Sequence, residues 1–311
     1  MLRAVAACSV LVSHTYEPIR GAAYGAAGVD LFFVISGFIM ANLAGGRTAG
    51  QFARDRIWRI YPLWWIAALP WLLLVWRGPF SALSTLTLWP IYGGVHYLPV
   101  LKVGWTLCLE LLFYVGVTVA IASKPWVPLA AYACFLFGAL TLSMPLFDFI
   151  GSPMALEFLM GVAVARLPRR RSFGLFMLLG PALLALTPTV LGDLGSSLGP
   201  QWALHRALEW GFPAALVVWG TLSVEPLFEH PLFDAPVVLG DASYSIYLFH
   251  PLISYGFDIF WPLRLALALG VGLGIYVLAE KRIIAVGKRA VQLAPPDSSR
   301  PSLNGVSAIA N

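Results

Sequence analysis

An all-α polytopic bundle of about ten transmembrane helices is what this sequence predicts, from its composition, its long apolar runs and the placement of its cations. Of 311 residues, 59% are hydrophobic and only 11% are charged, and the mean hydropathy is +0.80. A soluble domain carries about 25% charged residues, so this chain cannot cover a water-facing surface with polar groups. An outer-membrane barrel is excluded because its strands would alternate polar and apolar residues. Intrinsic disorder, a nucleic-acid-binding domain and a disulfide scaffold are excluded by the same composition, so no nucleic-acid partner is expected. The three cysteines, Cys8, Cys108 and Cys134, fall inside apolar runs and read as small fillers.

Spans are expected near residues 2–16, 28–44, 60–77, 104–123, 126–146, 152–167, 172–191, 206–224, 240–257 and 262–285. In so uncharged a chain, ionisable residues within spans are the informative ones, because burying them is costly. The first span carries Arg3 and His14 and no readable cleavage site, so it reads as a retained helix. Eleven residues at 100° each bring both side chains to one helix face, roughly 16 Å apart along the axis. An imidazole there is a natural base for a sugar hydroxyl, and the plain alternative is a histidine bonded to a neighbouring helix.

The second span contains Gly28, Asp30, Ser36 and Gly37, which serve close helix packing as readily as chemistry. Just ahead of the third, at its cytoplasmic boundary, stand Arg54, Arg56 and Arg59, followed by Tyr61 and Pro62. Arg56 and Arg59 share a face and suit either a phosphorylated cytoplasmic ligand or anionic lipid. The connection 77–103 holds Trp89, Tyr92, His96 and Tyr97, is too aromatic for a solvated linker, and is expected to dip back toward the interior. The fourth span sets Thr106, Glu110 and Tyr114 at i, i+4 and i+8, a carboxylate between two hydroxyls on one face. Glu157 gives the sixth span a weaker feature of the same kind. In the ninth, Ser243, Tyr247 and His250 form another polar stripe. The chain thus divides into a membrane domain, 1–288, and a Pro/Ser-rich tail, 289–311, expected to be disordered and cytoplasmic.

Lys and Arg follow the positive-inside rule on this count of spans. With the N-terminus inside, the inner segments hold 15 of the 20 cations, and Arg20, Arg77, Lys102, Arg206 and Arg264 remain on the outer side or at span ends. Both termini are therefore expected in the cytoplasm. The segment 225–238 carries acidic residues and no Lys or Arg, a mild exception, since acidic residues contribute little to orientation.

Six elements in this order carry a resemblance: Arg3 with His14, GVDLFFVISGF at Gly28–Phe38, RIWRIYP at Arg56–Pro62, WTLCLELLFY at Trp105–Tyr114, EFLMG at Glu157–Gly161 and GDASYSIYLFH at Gly240–His250. Together the sequence resembles the acyltransferase 3 family, bacterial ten-helix membrane proteins that acylate surface polysaccharides and other acceptors. In length it is most similar to the stand-alone exopolysaccharide and lipopolysaccharide O-acetyltransferases, without the C-terminal esterase-like domain of some members. One departure is the abrupt start ahead of Arg3. The resemblance implies that His14 is the catalytic histidine, with Glu110 beside it in the chemistry. It implies donor contacts from Arg3, Arg56, Arg59 and Tyr61. It places Asp30, Ser36, Tyr114, Ser243, Tyr247 and His250 as residues lining the site.

The expected reaction moves an acyl group, by default acetyl, from cytoplasmic acyl-CoA to a hydroxyl of a surface polysaccharide or its lipid-linked precursor. Acyl-CoA is a co-substrate, no cofactor is bound permanently, and the location is the bacterial inner membrane. Glu110 is expected to orient the His14 ring, and His14 to act as base or as transient acyl carrier. No G-x-S-x-G elbow is present, and the five histidines show no ligand spacing, so no metal is expected. A transporter or flippase of lipid-linked saccharide would also use intramembrane Arg, His and Glu, and a non-catalytic scaffold is a third reading; neither accounts for all six motifs.

Overall fold

A computed structural model describes residues 1–15, 22–92, 96–142, 145–187, 199–228, 230–231 and 234–292. The described chain is almost wholly helical. The first elements are α1 (Leu2–Thr15), α2 (Ala27–Leu43, entered through a 3-10 turn), α3 (Ala49–Leu74) and α4 (Pro79–Thr87). A two-residue hairpin follows, β1 (Ile91–Tyr92) antiparallel to β2 (His96–Tyr97). Then come α5 (Gly104–Ala122), α6 (Trp126–Leu142), α7 (Pro145–Ile150), α8 (Ala155–Val164), α9 (Phe176–Leu186), α10 (Pro200–Arg206) and α11 (Phe212–Ser223). The last are α12 (Asp234–Asp241), α13 (Ser243–Gly256), α14 (Trp261–Ile275) and α15 (Lys281–Gln292).

Among the described residues, five helices are long and apolar enough to cross a membrane: Tyr24–Leu43, Ala49–Leu74, Gly104–Ala122, Phe147–Val164 and Trp261–Gly287. Three shorter apolar helices, Leu2–Thr15, Trp126–Leu142 and Arg171–Leu186, stand beside them. The exterior matches lipid rather than water. Leu73 and Leu74 are 85% and 82% exposed, whereas Asp30, Glu157, Arg206 and Glu280 are buried. Some expected ends differ. Helix precedes position 206, starting at Pro200, and a π turn at Ala207–Gly211 joins α10 to α11. Helix also runs to Gln292, past the expected tail boundary at 288. The rest of that tail, 293–311, and Arg20 lie outside the described residues.

Helix α1 is central, packing against α2, α12, α13 and α14. Its buried Ala4, Ala6 and Ala7 let neighbouring backbones come close, which carries the face of Arg3 and His14 into the protein. The connection 77–103 does fold back along α3. Pro79 starts α4, and the left-handed Leu88 (φ 53°) ends it. Trp64 Nε1 donates to the Thr85 carbonyl at 2.7 Å, and Trp65 Nε1 donates to that of Leu86 at 3.1 Å. About 15 Å of helix separates Trp64 from the end of α3 at Leu74, so the segment returns well along the helix.

Helices α2 and α8 cross through two glycines. A Cβ on Gly37 would lie 1.9 Å from the Phe158 carbonyl oxygen, and one on Gly161 would lie 2.0 Å from that of Val34. Both obstacles are backbone, so neither can swing away. Gly161→Val is expected to cost roughly 3 kcal/mol, the upper end of overpacking penalties. Thermal melts of purified protein in a single detergent would check this; an unchanged midpoint would contradict so tight a crossing.

Candidate active site

Five helices meet around a cavity of about 60 Å³. α1 supplies Arg3, α2 supplies Phe32, Phe33 and Ser36, and α3 supplies Arg59. α5 supplies Thr106, Glu110 and Tyr114, and α13 supplies Ser243, Tyr244 and Tyr247. Seven residues expected at the site thus come together here: Arg3, Ser36, Arg59, Glu110, Tyr114, Ser243 and Tyr247. Helical spacing accounts for the contributions of α5 and α13, each of which turns one polar stripe toward the cavity; α1, α2 and α3 each bring a single polar residue of the expected set.

Glu110 is held by two hydroxyls. Ser36 Oγ donates to Glu110 Oε1 at 3.1 Å, and the Tyr114 hydroxyl donates to the same oxygen. Thr106 Oγ1 donates to the Val103 carbonyl at 2.9 Å, which leaves its lone pairs to accept from the Tyr247 hydroxyl at 2.8 Å. Tyr244, which the sequence stripes passed over, donates from its hydroxyl to the Ile60 carbonyl at 2.9 Å. Ser243 Oγ is buried and has no hydrogen-bond partner among the described residues.

Arg3 feels the charges of Arg59, Glu110 and Glu280. Neither Arg3 nor Arg59 forms an ion pair among the described residues. Glu280 was missed in the sequence, although a carboxylate in an apolar span is itself a signal. A π turn at Tyr276–Glu280 brings it inward, where Ser245 Oγ donates to it at 2.5 Å. Such turns shift the helical register by one residue and occur often at functional sites.

Arg56 does not line the cavity. Its guanidinium lies over the rings of Phe52 (5.7 Å) and Tyr114 (5.8 Å), with Nη1 3.9 Å from Met40 Sδ. Tyr61 is also elsewhere: its hydroxyl donates to the Thr87 carbonyl at 2.6 Å and pins the returning segment. That bond ties Tyr61 to the returning segment, outside the residues that line the cavity. Asp30 is fully buried outside the cavity, accepting from Arg206 Nε at 3.0 Å and Arg206 Nη2 at 2.8 Å. A carboxylate at that depth needs a counter-charge, and Arg206, expected at an outer span end, enters to supply it.

His14 lies apart from the cavity, near the opposite end of α1. Its Nδ1 is 2.8 Å from His250 Nε2, with ring centroids 4.9 Å apart and planes 8° from parallel. Nitrogens in hydrogen-bond contact at that centroid separation place the rings edge to edge, close to one plane. The expected partnership of Glu110 with His14 is corrected: Glu110 bonds Ser36 and Tyr114, and the ring that His14 contacts is that of His250. Tyr247 belongs to both places, since its side chain lines the cavity and its carbonyl lies 2.8 Å from His250 Nδ1. At about 60 Å³ the cavity has room for a few waters and is too small for an acylated pantetheine arm.

The family described as an acyltransferase domain matches residues 1–279. The chain is also 30% identical to the exopolysaccharide production protein ExoZ of Rhizobium meliloti (strain 1021), across 85% of this chain and 91% of that protein. No solved structure matches.

Proposed function

The chain belongs to the acyltransferase 3 family, and from that we propose that it moves an acyl group, acetyl in the first instance, from cytoplasmic acyl-CoA to a hydroxyl of a surface polysaccharide or its lipid-linked precursor. The exopolysaccharide relative supports the acceptor class. The observation that carries the reading is the convergence of Arg3, Arg59, Glu110 and Ser243 on one buried cavity, with the His14–His250 pair farther along α1. The membrane arrangement in this reading is ten crossings of the bacterial inner membrane with both termini cytoplasmic. It counts the five long apolar helices, the three shorter ones, and the helical stretches 200–223 and 243–256.

Acyl-CoA approaches from the cytoplasm, and its anionic part meets Arg3, Arg59 and, beyond Tyr114, Arg56. The thioester arm lies along α1. An extended pantetheine is on the order of 15–20 Å, comparable with the rise from Arg3 to His14. Ser243 offers a hydroxyl to the arm's amides. Donor binding on this account requires the helices lining the cavity to part. His14 then removes the acceptor hydroxyl proton as the oxygen attacks the thioester carbonyl. The carbon–sulfur bond breaks, and the departing thiolate takes that proton from His14. The acyl ester remains on the acceptor, and CoA leaves as the free thiol.

Two measurements test this. Purified protein supplied with labelled acetyl-CoA and the host polysaccharide should consume the donor and label the glycan; no turnover would refute the reading. Arg59→Gln should raise KM for acetyl-CoA about 10–100-fold, the worth of one charge-assisted hydrogen bond, while kcat falls less. An unchanged KM would remove Arg59 from donor binding.

A further inference from the structure

The His14–His250 pair stands on a backbone irregularity in α13. In an α-helix each carbonyl accepts from the N–H four residues on. The Tyr247 carbonyl would accept from residue 251, but that residue is Pro251, inside the helix, and proline has no N–H. The Tyr247 carbonyl is therefore left without its helical donor. His250 Nδ1 sits 2.8 Å from it, with the Ile246 carbonyl also in reach. A carbonyl oxygen only accepts, so His250 Nδ1 carries a proton.

We propose that His250 is a positioning residue that fixes the proton of His14 on Nδ1 and leaves His14 Nε2 as the nitrogen that takes the acceptor's proton. In a neutral His250, a proton on Nδ1 leaves Nε2 as a bare lone pair. That nitrogen faces His14 Nδ1 at 2.8 Å. Two bare nitrogens would repel at this distance, so His14 Nδ1 donates the hydrogen bond. His14 Nε2 then holds the lone pair, on the ring edge turned away from His250. The near-coplanar rings, 8° apart, are the geometry of that in-plane bond. His250 is 1% exposed, so water does not compete for its nitrogens. The order of residues is thus the device: Pro251 frees a carbonyl, the carbonyl sets one imidazole, and that imidazole sets the next. An outer group of this kind commonly chooses which ring nitrogen of a histidine is available for chemistry.

This proposal rests on His14 being the base of the transfer, and the test reads the two ideas separately. The full-length protein, labelled with ¹⁵N-histidine and reconstituted in nanodiscs, is examined by NMR of the ring nitrogens, with His14 assigned by its loss in His14→Asn. The wild type should show a protonated Nδ1 and a bare Nε2 on His14. His250→Ala should move the proton to Nε2 and lower kcat about 100-fold or more, with KM for acetyl-CoA within about twofold, because the donor cations lie elsewhere on α1 and α3. His250→Gln, whose amide oxygen can accept in place of Nε2, should keep the Nδ1 proton and recover at least about tenfold of the lost kcat. Pro251→Ala restores a competing N–H and should give a mixture of the two forms. A wild-type proton on Nε2, or His14 signals unmoved by His250→Ala, overturns the proposal. If the NMR result is as described but His14→Ala still acylates, the fault lies in the catalytic reading of His14 and not in the relay.

Discussion

His14→Ala is expected to lower acyl transfer by about 10²–10⁴-fold, the range for loss of a general base, while the protein still inserts and melts as before. Stability should hold because the side chain is half-buried rather than a core anchor, and alanine is the best helix former for the turn it occupies. The residue left behind, His250, keeps its own bond to the Tyr247 carbonyl, and the one acceptor that loses its partner, His250 Nε2, faces the space vacated by the ring, which is large enough for a water to bond it. His250 also cannot take over the reaction, since its Nδ1 is committed to that carbonyl and its Nε2 faces the emptied position. The measurement is acyl content of the surface glycan in cells, by mass spectrometry, alongside donor turnover by purified protein. Wild-type acylation from a variant present at normal levels in the membrane would end the assignment of His14 as the base. His14→Gln sharpens the result. It preserves a polar side chain able to bond His250 but has no basic nitrogen, so activity should stay lost.

The polar stripes were legible because helical spacing alone decides which residues share a face. Arg3, Ser36, Arg59, Glu110, Tyr114, Ser243 and Tyr247 all reach one cavity, and the four-residue intervals of Glu110 with Tyr114 and of Ser243 with Tyr247 keep each of those pairs on one face. What spacing does not encode is the pairing of faces between helices distant in sequence. Glu110 lies mid-way along α5 and His14 near the far end of α1, so a carboxylate and an imidazole that look complementary on paper sit at different depths. The ring that meets His14 instead, His250, comes from 236 positions away. The clue was present in the His250-Pro251 dipeptide, because a proline within a helical pattern always releases one carbonyl. Tyr61 falls outside the cavity for the opposite reason. It follows the basic cluster in sequence, but two residues beyond Arg59 is some 200° around the helix, and its hydroxyl turns to the returning segment at Thr87. Glu280 depends on a π turn, which changes register locally and is invisible to a uniform 3.6-residue count, and Arg206 lies within a helix that begins at Pro200, ahead of the expected span start.

Removing both carboxyl groups that surround Arg206 is expected to destabilise the protein more than any other change discussed. Arg206 is 6% exposed and Asp30 and Glu157 are both 0% exposed. Its guanidinium bonds both Asp30 oxygens and lies within 6 Å of the ring centres of Trp105, Trp202 and Trp210. Glu157 acts on the same cluster electrostatically, on Asp30 as well as on Arg206. The site therefore holds one cation, one engaged carboxylate and a second carboxyl in reserve. Asp30→Asn removes the engaged partner, but Glu157 can supply the missing counter-charge, so the loss should stay near 1–2 kcal/mol. Glu157→Gln leaves the Arg206–Asp30 pair intact and should cost less. In the double variant Asp30→Asn/Glu157→Gln the guanidinium has no counter-charge, and a buried charge stripped of its partner costs about 3–5 kcal/mol. The double should exceed the sum of the singles by at least about 1 kcal/mol, a coupling expected of groups that substitute for one another. Adding Arg206→Met to the double removes the stranded charge and should recover most of the stability, since a whole buried ion cluster can often be exchanged for apolar side chains at little cost. Thermal midpoints of the four variants in one detergent decide the matter. Additive singles would mean that Glu157 is no reserve partner, and a triple variant as unstable as the double would mean that packing around the three tryptophans, not charge, holds this part of the fold.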